Sequence, residues 1–204
     1  MSEIHRCLGS AWRLSVPAME NAMEKALLLI DIQNDYFPGG AMELVGSSAA
    51  GTKAGKLLQA FRERVLPVIH VQHIATRPGV TFFLPNTFGA RIHQSVTPAD
   101  NEAVFQKTFP NSFRETSLLQ HLQDHRISHL VIAGMMTHMC IDTTVRAAAD
   151  LGFRCVLAHD ACATRSLSFG GAHVSAENVH AVFLAALNGS FAEVLSVEEI
   201  CANL

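Results

Sequence analysis

Leu130-Val-Ile-Ala-Gly-Met-Met-Thr-His-Met-Cys140-Ile-Asp-Thr-Thr-Val-Arg-Ala-Ala-Ala149 is the stretch that sets the architecture. Leu130 to Ala133 is apolar without alternation, the pattern of a strand covered on both faces. Helical spacing takes over near Met139 and lasts to about Leu151, so Gly134 to Thr137 turns a buried strand into a helix. Cys140 falls at this turn, beyond the carboxyl end of the strand, with Thr137 placed to cap the helix.

The same grammar extends outward in both directions. Upstream, Ala26-Leu-Leu-Leu-Ile30 is a second continuous apolar run, ending in Asp31. A helix is predicted over Ser48 to Arg64, with Ala50, Ala54, Leu57, Leu58 and Phe61 on one face, and a strand over Pro67 to Val71. Pro78, Gly79, Pro85, Gly89 and Pro98 punctuate Ala75 to Asp100, which reads as a long ordered loop. A short strand at Ala103 to Phe105 and a helix at Glu115 to His125 follow. Downstream come a strand at Arg154 to Ala158, a helix from Ala176 to Leu187, a strand around Phe191 to Leu195 and a last helical turn. Strands alternating with helices imply a parallel sheet with helices on both faces and a ligand site at the carboxyl edge.

Composition excludes several other classes. At 204 residues and 49% hydrophobic, the chain suffices for one core, and it divides into an N-terminal extension over residues 1–24 and one domain over 25–204. Met19 and Met23 are alternative starts. A net charge of -3 without a basic stripe speaks against nucleic acid, and no apolar run approaches the roughly 20 residues needed to cross a bilayer. The N-terminal residues show no apolar core followed by a small-residue cleavage site, so secretion is not expected, and Cys7, Cys140, Cys155, Cys162 and Cys201, odd in number and without a CxxC pair, fit a reducing cytoplasm.

Most free cysteines are small buried hydrophobes. Cys140 differs because Asp31 and Lys107 also stand where strands end, so a thiol, a carboxylate and a cation converge on one sheet edge. A thiol ionises near pH 8.5, and a helix N-terminus or a cation is expected to lower that value. Asp31 would act as general base toward the thiol and proton donor to a leaving amine. Lys107, between Phe105 and Phe109, would steady both negative charges.

These segments resemble the three signatures of the isochorismatase-like cysteine hydrolases. They are Asp31, Gln33 and Phe37; Lys107 with Asn111, Ser112 and Phe113; and Gly134, Thr137 and Cys140, in the same order and spacing. The similarity covers residues 25 to about 198 and includes Gly152 to Val156 and His159 to Ala163. It implies a three-layer α/β/α, Rossmann-like domain on a six-stranded, mostly parallel sheet, and a catalytic Asp31, Lys107 and Cys140. It also implies a cis peptide between Met135 and Met136, with the backbone N–H groups of Met136 and Cys140 forming an oxyanion hole. Phe37, Phe113, Gln33 and Thr137 are expected at a substrate pocket. Phe82, Phe83 and Phe88 are further aromatic candidates, as are the Ala75 to Asp100 loop and the segment Ser166 to His173.

The implied reaction is cleavage of a C–N bond in a small amide, ureide or lactam through a thioester on Cys140. Two alternatives stand beside it: acid-catalysed vinyl-ether hydrolysis from Asp31, as in isochorismatases proper, and a non-catalytic binding protein on the same fold. The related nicotinamidases place an Asp and several His near the second strand to hold a metal. Here His70-Val-Gln-His73 lacks that pattern, and residues three apart on a strand face opposite ways, so no metal and no cofactor are expected. The expected partners are a small-molecule substrate and further copies of the chain in a homo-oligomer.

Overall fold

The computed structural model describes residues 24–204; the readings made on residues 1–23, including Cys7, Met19 and Met23, lie outside the described residues. In chain order the elements are β1 (Glu24–Ile30), α1 (Ser47–Glu63), β2 (Val68–His73), β3 (Ala103–Lys107), α2 (Leu118–Asp124) and β4 (Ile127–Met135). After a π-helical turn over Thr137–Ile141 come α3 (Asp142–Asp150), β5 (Arg154–Ala163), β6 (Leu167–Phe169), β7 (Ala172–Val174), α4 (Ala176–Leu187), β8 (Glu193–Leu195) and α5 (Val197–Ala202).

Six strands form one sheet in the order β3-β2-β1-β4-β5-β8, every neighbouring pair parallel. Helices cover both faces, giving the three-layer α/β/α architecture expected from the sequence. Side chains alternate along β1 as the pleat requires. Leu27 and Leu29 pack with Ala54, Leu57 and Phe61 of α1 and Ile200 of α5. Ala26, Leu28 and Ile30 pack with Leu118 and Leu122 of α2, Val145 and Ala148 of α3 and Leu187 of α4. Each buried leucine contributes roughly 1.5–3 kcal/mol of transfer free energy, which explains why β1 carries no polar residue between Lys25 and Asp31.

Several boundaries differ from those read off the sequence; β2 and β3 each run two residues further, to His73 and Lys107, and β4 spans Ile127–Met135. The helix expected at Glu115 begins at Leu118, because Glu115 itself sits at φ 56° and its neighbour Thr116 donates its hydroxyl hydrogen to the Ser112 carbonyl. Strand β5 runs on to Ala163, since a register shift lets Cys162 and Ala163 pair with Gly134 and Met135. Thr137 is no cap: its hydroxyl lies 2.9 Å from His180 Nδ1 and 3.3 Å from the Ala163 carbonyl, so it fastens the turn to α4 and β5.

Chain order reverses direction at the β1–β4 pair, and doubly wound sheets open a crevice at that point. Ile30 stands in register with Val71 on one side and Gly134 on the other. Gly134 is held at φ 141°, and a Cβ there would lie 2.0 Å from the Ile30 carbonyl oxygen. Only glycine lets β4 pass this close to β1 and then turn.

Candidate active site

Four strand ends meet at the crevice. Asp31 follows β1 with φ 53°, a left-handed conformation that Asp tolerates better than most residues, and its N–H donates to the Val71 carbonyl at 2.9 Å. Lys107 closes β3, in register with His73 at the end of β2. Cys140 sits in the π-helical turn after β4, and such turns recur at functional sites. The Met135–Met136 peptide is cis, as the resemblance implies.

The Lys107 ammonium lies 2.7 Å from Asp31 Oδ2, and neither side chain is exposed. Lys107 also donates to the carbonyls of Phe109 at 3.2 Å and Pro110 at 3.1 Å, and stands 3.5 Å from His73 Nδ1. The ammonium engages one oxygen of a carboxylate that offers about four lone-pair sites, so Asp31 retains accepting capacity in a fully buried place. An acceptor left this way is suited to taking a proton from a neighbouring group. The donor atoms of Asp31, His73 and Cys140 lie within 4.8 Å of one another.

Burial is the largest influence on the Cys140 thiol and pushes its pKa far up; the Asp31 charge acts in the same direction, while Lys107 opposes both. The expected lowering by a helix end and a cation is therefore reversed, and the resting sulfur is a protonated thiol. Burial alone would lower Lys107, but the facing Asp31 carboxylate outweighs it and raises the ammonium above its ordinary value. His73 is lowered, first by burial and then by the charges of Lys107 and Arg77 against the pull of Asp31, so it is a neutral imidazole.

Cys140 forms the floor of a cavity of about 170 Å³ walled mainly by Tyr36, Val80, Phe82, Phe83, Met136 and Met139. The volume matches about five or six water molecules at ~30 Å³ each, which sets the scale of a small ligand. Tyr36 packs on Phe83 at a ring distance of 4.5 Å, and its hydroxyl is raised well above the ordinary phenol value, first of all by burial. Asp35 anchors the wall: its Oδ2 accepts from Phe83 N–H at 2.6 Å and its Oδ1 from Ala41 N–H at 3.2 Å.

Of the residues expected at the pocket, the structure brings Met136, Phe82 and Phe83 to the cavity, and places the others elsewhere. Gln33 is fully buried and spends its amide on the backbone of His73 and Ala90, clamping β2 beside Asp31. Phe37 stacks on His93 with ring centroids 3.5 Å apart, Phe113 stacks on Phe153, and Phe88 is exposed. Thr137 fastens the turn that carries Cys140. The hairpin β6–β7 contributes no lining residue, whereas the Ala75 to Asp100 loop supplies six: Ala75, Thr76, Arg77, Val80, Phe82 and Phe83. Sequence reasoning passed over Tyr36 and Arg77, and weighed His73 only as a metal ligand. The position of His73 at a strand's carboxyl end was the available signal.

A metal fits this cluster poorly. His70 points away, its Nε2 2.9 Å from Glu102 Oε2 on the other side of the strand. The three donors Asp31, His73 and Cys140 surround a place already holding the Lys107 ammonium, whose charge repels a divalent ion at these separations. No catalytic step is assigned to a metal.

Comparison with known proteins agrees with this fold. A family model described as the isochorismatase domain matches residues 25–199. The isochorismatase family protein YddQ of Bacillus subtilis is 50% identical over 176 residues, covering 86% of this chain and 98% of its own. A crystal structure of an isochorismatase-type protein from Oleispira antarctica superposes with a TM-score of 0.86 at 50% identity, covering 90% of this chain and 99% of its own. The nicotinamidase of Escherichia coli is 30% identical over 175 residues, covering 68% of this chain and 82% of its own. Among the described residues no helix is long and apolar enough to cross a membrane.

Proposed function

From the premise that the chain belongs to the isochorismatase family of hydrolases, we propose that it is a cysteine hydrolase cleaving the C–N bond of a small amide, ureide or lactam through a thioester on Cys140. The observation that carries the reading is the buried Asp31 carboxylate, paired with Lys107 at 2.7 Å yet retaining acceptor capacity beside the thiol. The likeness to a nicotinamidase, itself named for an amide substrate, supports the same bond type.

As the Cys140 sulfur attacks the substrate carbonyl carbon, its proton passes to Asp31 and the carbonyl electrons move onto oxygen. The backbone N–H groups of Met136 and Cys140 donate to that oxyanion. Collapse re-forms the carbonyl and breaks the C–N bond, and the amine leaves with the proton from Asp31. Water then attacks the thioester and gives a proton to Asp31. The acid departs, and that proton returns to the thiolate. Lys107 keeps the site positive enough for negative charge to move between oxygen and sulfur. A homo-oligomer is part of the proposal, supported by the strongly exposed Phe169 and Val182.

Incubation with a panel of small amides, ureides and lactams, followed by acid quench and peptide mass analysis, tests this reading. The expected result is amine release together with an acyl mass on Cys140, both lost in Cys140→Ala, Asp31→Asn and Lys107→Ala. Turnover that survives Cys140→Ala would replace the covalent route by acid catalysis from Asp31, and no turnover on any compound would favour a binding protein.

A further inference from the structure

Arg77 is a charged side chain at the cavity that the proposed chemistry leaves unused. It lies on the loop after β2, exposed at the rim, and makes no ion pair among the described residues. Its guanidinium carbon lies 5.9 Å from the centroid of the Phe109 ring, near the outer limit of a cation–π contact. The lining contains no acidic residue, and the carboxylate behind it, Asp31, already faces Lys107. The cavity therefore carries the uncompensated charge of one guanidinium over apolar walls. Its influence reaches inward, since Arg77 is among the charges that hold His73 neutral.

The remaining polar groups point the same way. Tyr36 stays a protonated phenol that lines the cavity beside Cys140. The neutral His73 imidazole is flanked by the Lys107 ammonium at 3.5 Å, and Thr76 and Thr108 add hydroxyls. A ligand filling this space meets donors and a cation but no anion to repel a second negative charge. Guanidinium groups match planar carboxylates in shape and donor spacing.

We infer that the substrate carries a carboxylate that Arg77 binds, so that the natural substrate class is the monoamide of a small dicarboxylic acid, the amide lying over Cys140 and the acid at the cavity mouth. This rests on the hydrolase reading for the identity of the scissile bond, but binding can be measured without any chemistry. In Cys140→Ser protein, succinamate and its neutral isostere 4-oxopentanamide are compared by saturation-transfer NMR titration, with and without the added change Arg77→Gln. Succinamate is expected to bind about fivefold more tightly, as suits a single partly exposed ion pair. The ratio should fall to about one with Arg77→Gln and shrink in high salt. Equal affinities, a preference that persists without Arg77, or binding of neither compound would each overturn the assignment. Failure of the covalent mechanism would leave this result unchanged, because the serine variant is not asked to turn over.

Discussion

Replacing Lys107 by Met keeps most of the side-chain volume, removes the ammonium and leaves Asp31 alone in a fully buried place. At the observed 2.7 Å separation, the attraction in a medium of effective dielectric 20 is about 6 kcal/mol. Part of that is offset by the dehydration of the ammonium, which the variant no longer suffers, and breaking a buried pair from one side typically leaves a net loss of about 3–5 kcal/mol. For a chain of this size each 1 kcal/mol moves the midpoint by roughly 2–4 °C, so Tm should drop by about 6–20 °C. Urea denaturation followed by circular dichroism would measure the same loss as a lower midpoint at unchanged slope. Adding Asp31→Asn to Lys107→Met removes the stranded charge, and the double variant should regain most of the stability while remaining inactive. A Lys107→Met protein as stable as the native chain, or a double variant no better than the single one, would refute the claim that the pair is held together by mutual charge compensation.

Two further outcomes follow from other parts of the fold. Gly134→Ala puts a Cβ 2.0 Å from the Ile30 carbonyl at φ 141°, which should cost more than about 4 kcal/mol, read as loss of soluble folded protein or a collapsed melting transition. Acidification should weaken the native chain in two steps. His70 is lowered mainly by burial, so its contribution is complete above its unfolded value near pH 6.5 and fades as pH falls below it. Glu102, which burial alone would raise, is brought down to about 2 by its bonds from Arg62, Ala99 N–H and His70, and its contribution fades between the unfolded value of 4.5 and about 2. Glu102→Gln should flatten the lower limb of stability against pH, measured by urea midpoints across that range.

The sheet was legible because β1 and β4 are buried on both faces, and burial on both faces forces an unbroken apolar run whose end is visible as the first polar residue. Asp31 was found that way, whereas Lys107 and Cys140 were found only by lying at or beyond expected strand ends, on the edge strand β3 and after β4. The cavity wall was not legible, because it depends on how a long loop folds back. Asp35 accepts from Phe83 N–H across 48 residues of sequence, and nothing local in Asn34-Asp-Tyr36 announces that bond. Gln33 and Phe37 share the motif with Asp31, yet they support the site from behind, by clamping β2 and packing on His93. Proximity to a motif thus reported which segments build the site, while the direction of each side chain followed from tertiary contacts. The thiol's protonation was misjudged for a related reason: sequence shows the neighbouring cation but not the burial that outweighs it.

That burial alters how the three central groups must work. A protonated thiol, a carboxylate and an ammonium sum to no net charge, and so do a thiolate, a carboxylic acid and an ammonium. Proton transfer from Cys140 to Asp31 therefore relocates charge inside the cluster without adding any to a dry interior, where an isolated ion is costly. Lys107 is the constant of that exchange, 2.7 Å from the carboxylate oxygen that surrenders its negative charge and close enough to lower the thiol against the effect of burial. Deleting the cation would leave either arrangement with a net buried negative charge. In the proposed mechanism the site keeps an unreactive thiol at rest and produces a nucleophile only when a carbonyl is in place to receive it, with Asp31 and Lys107 acting as one unit rather than as two separable aids to Cys140.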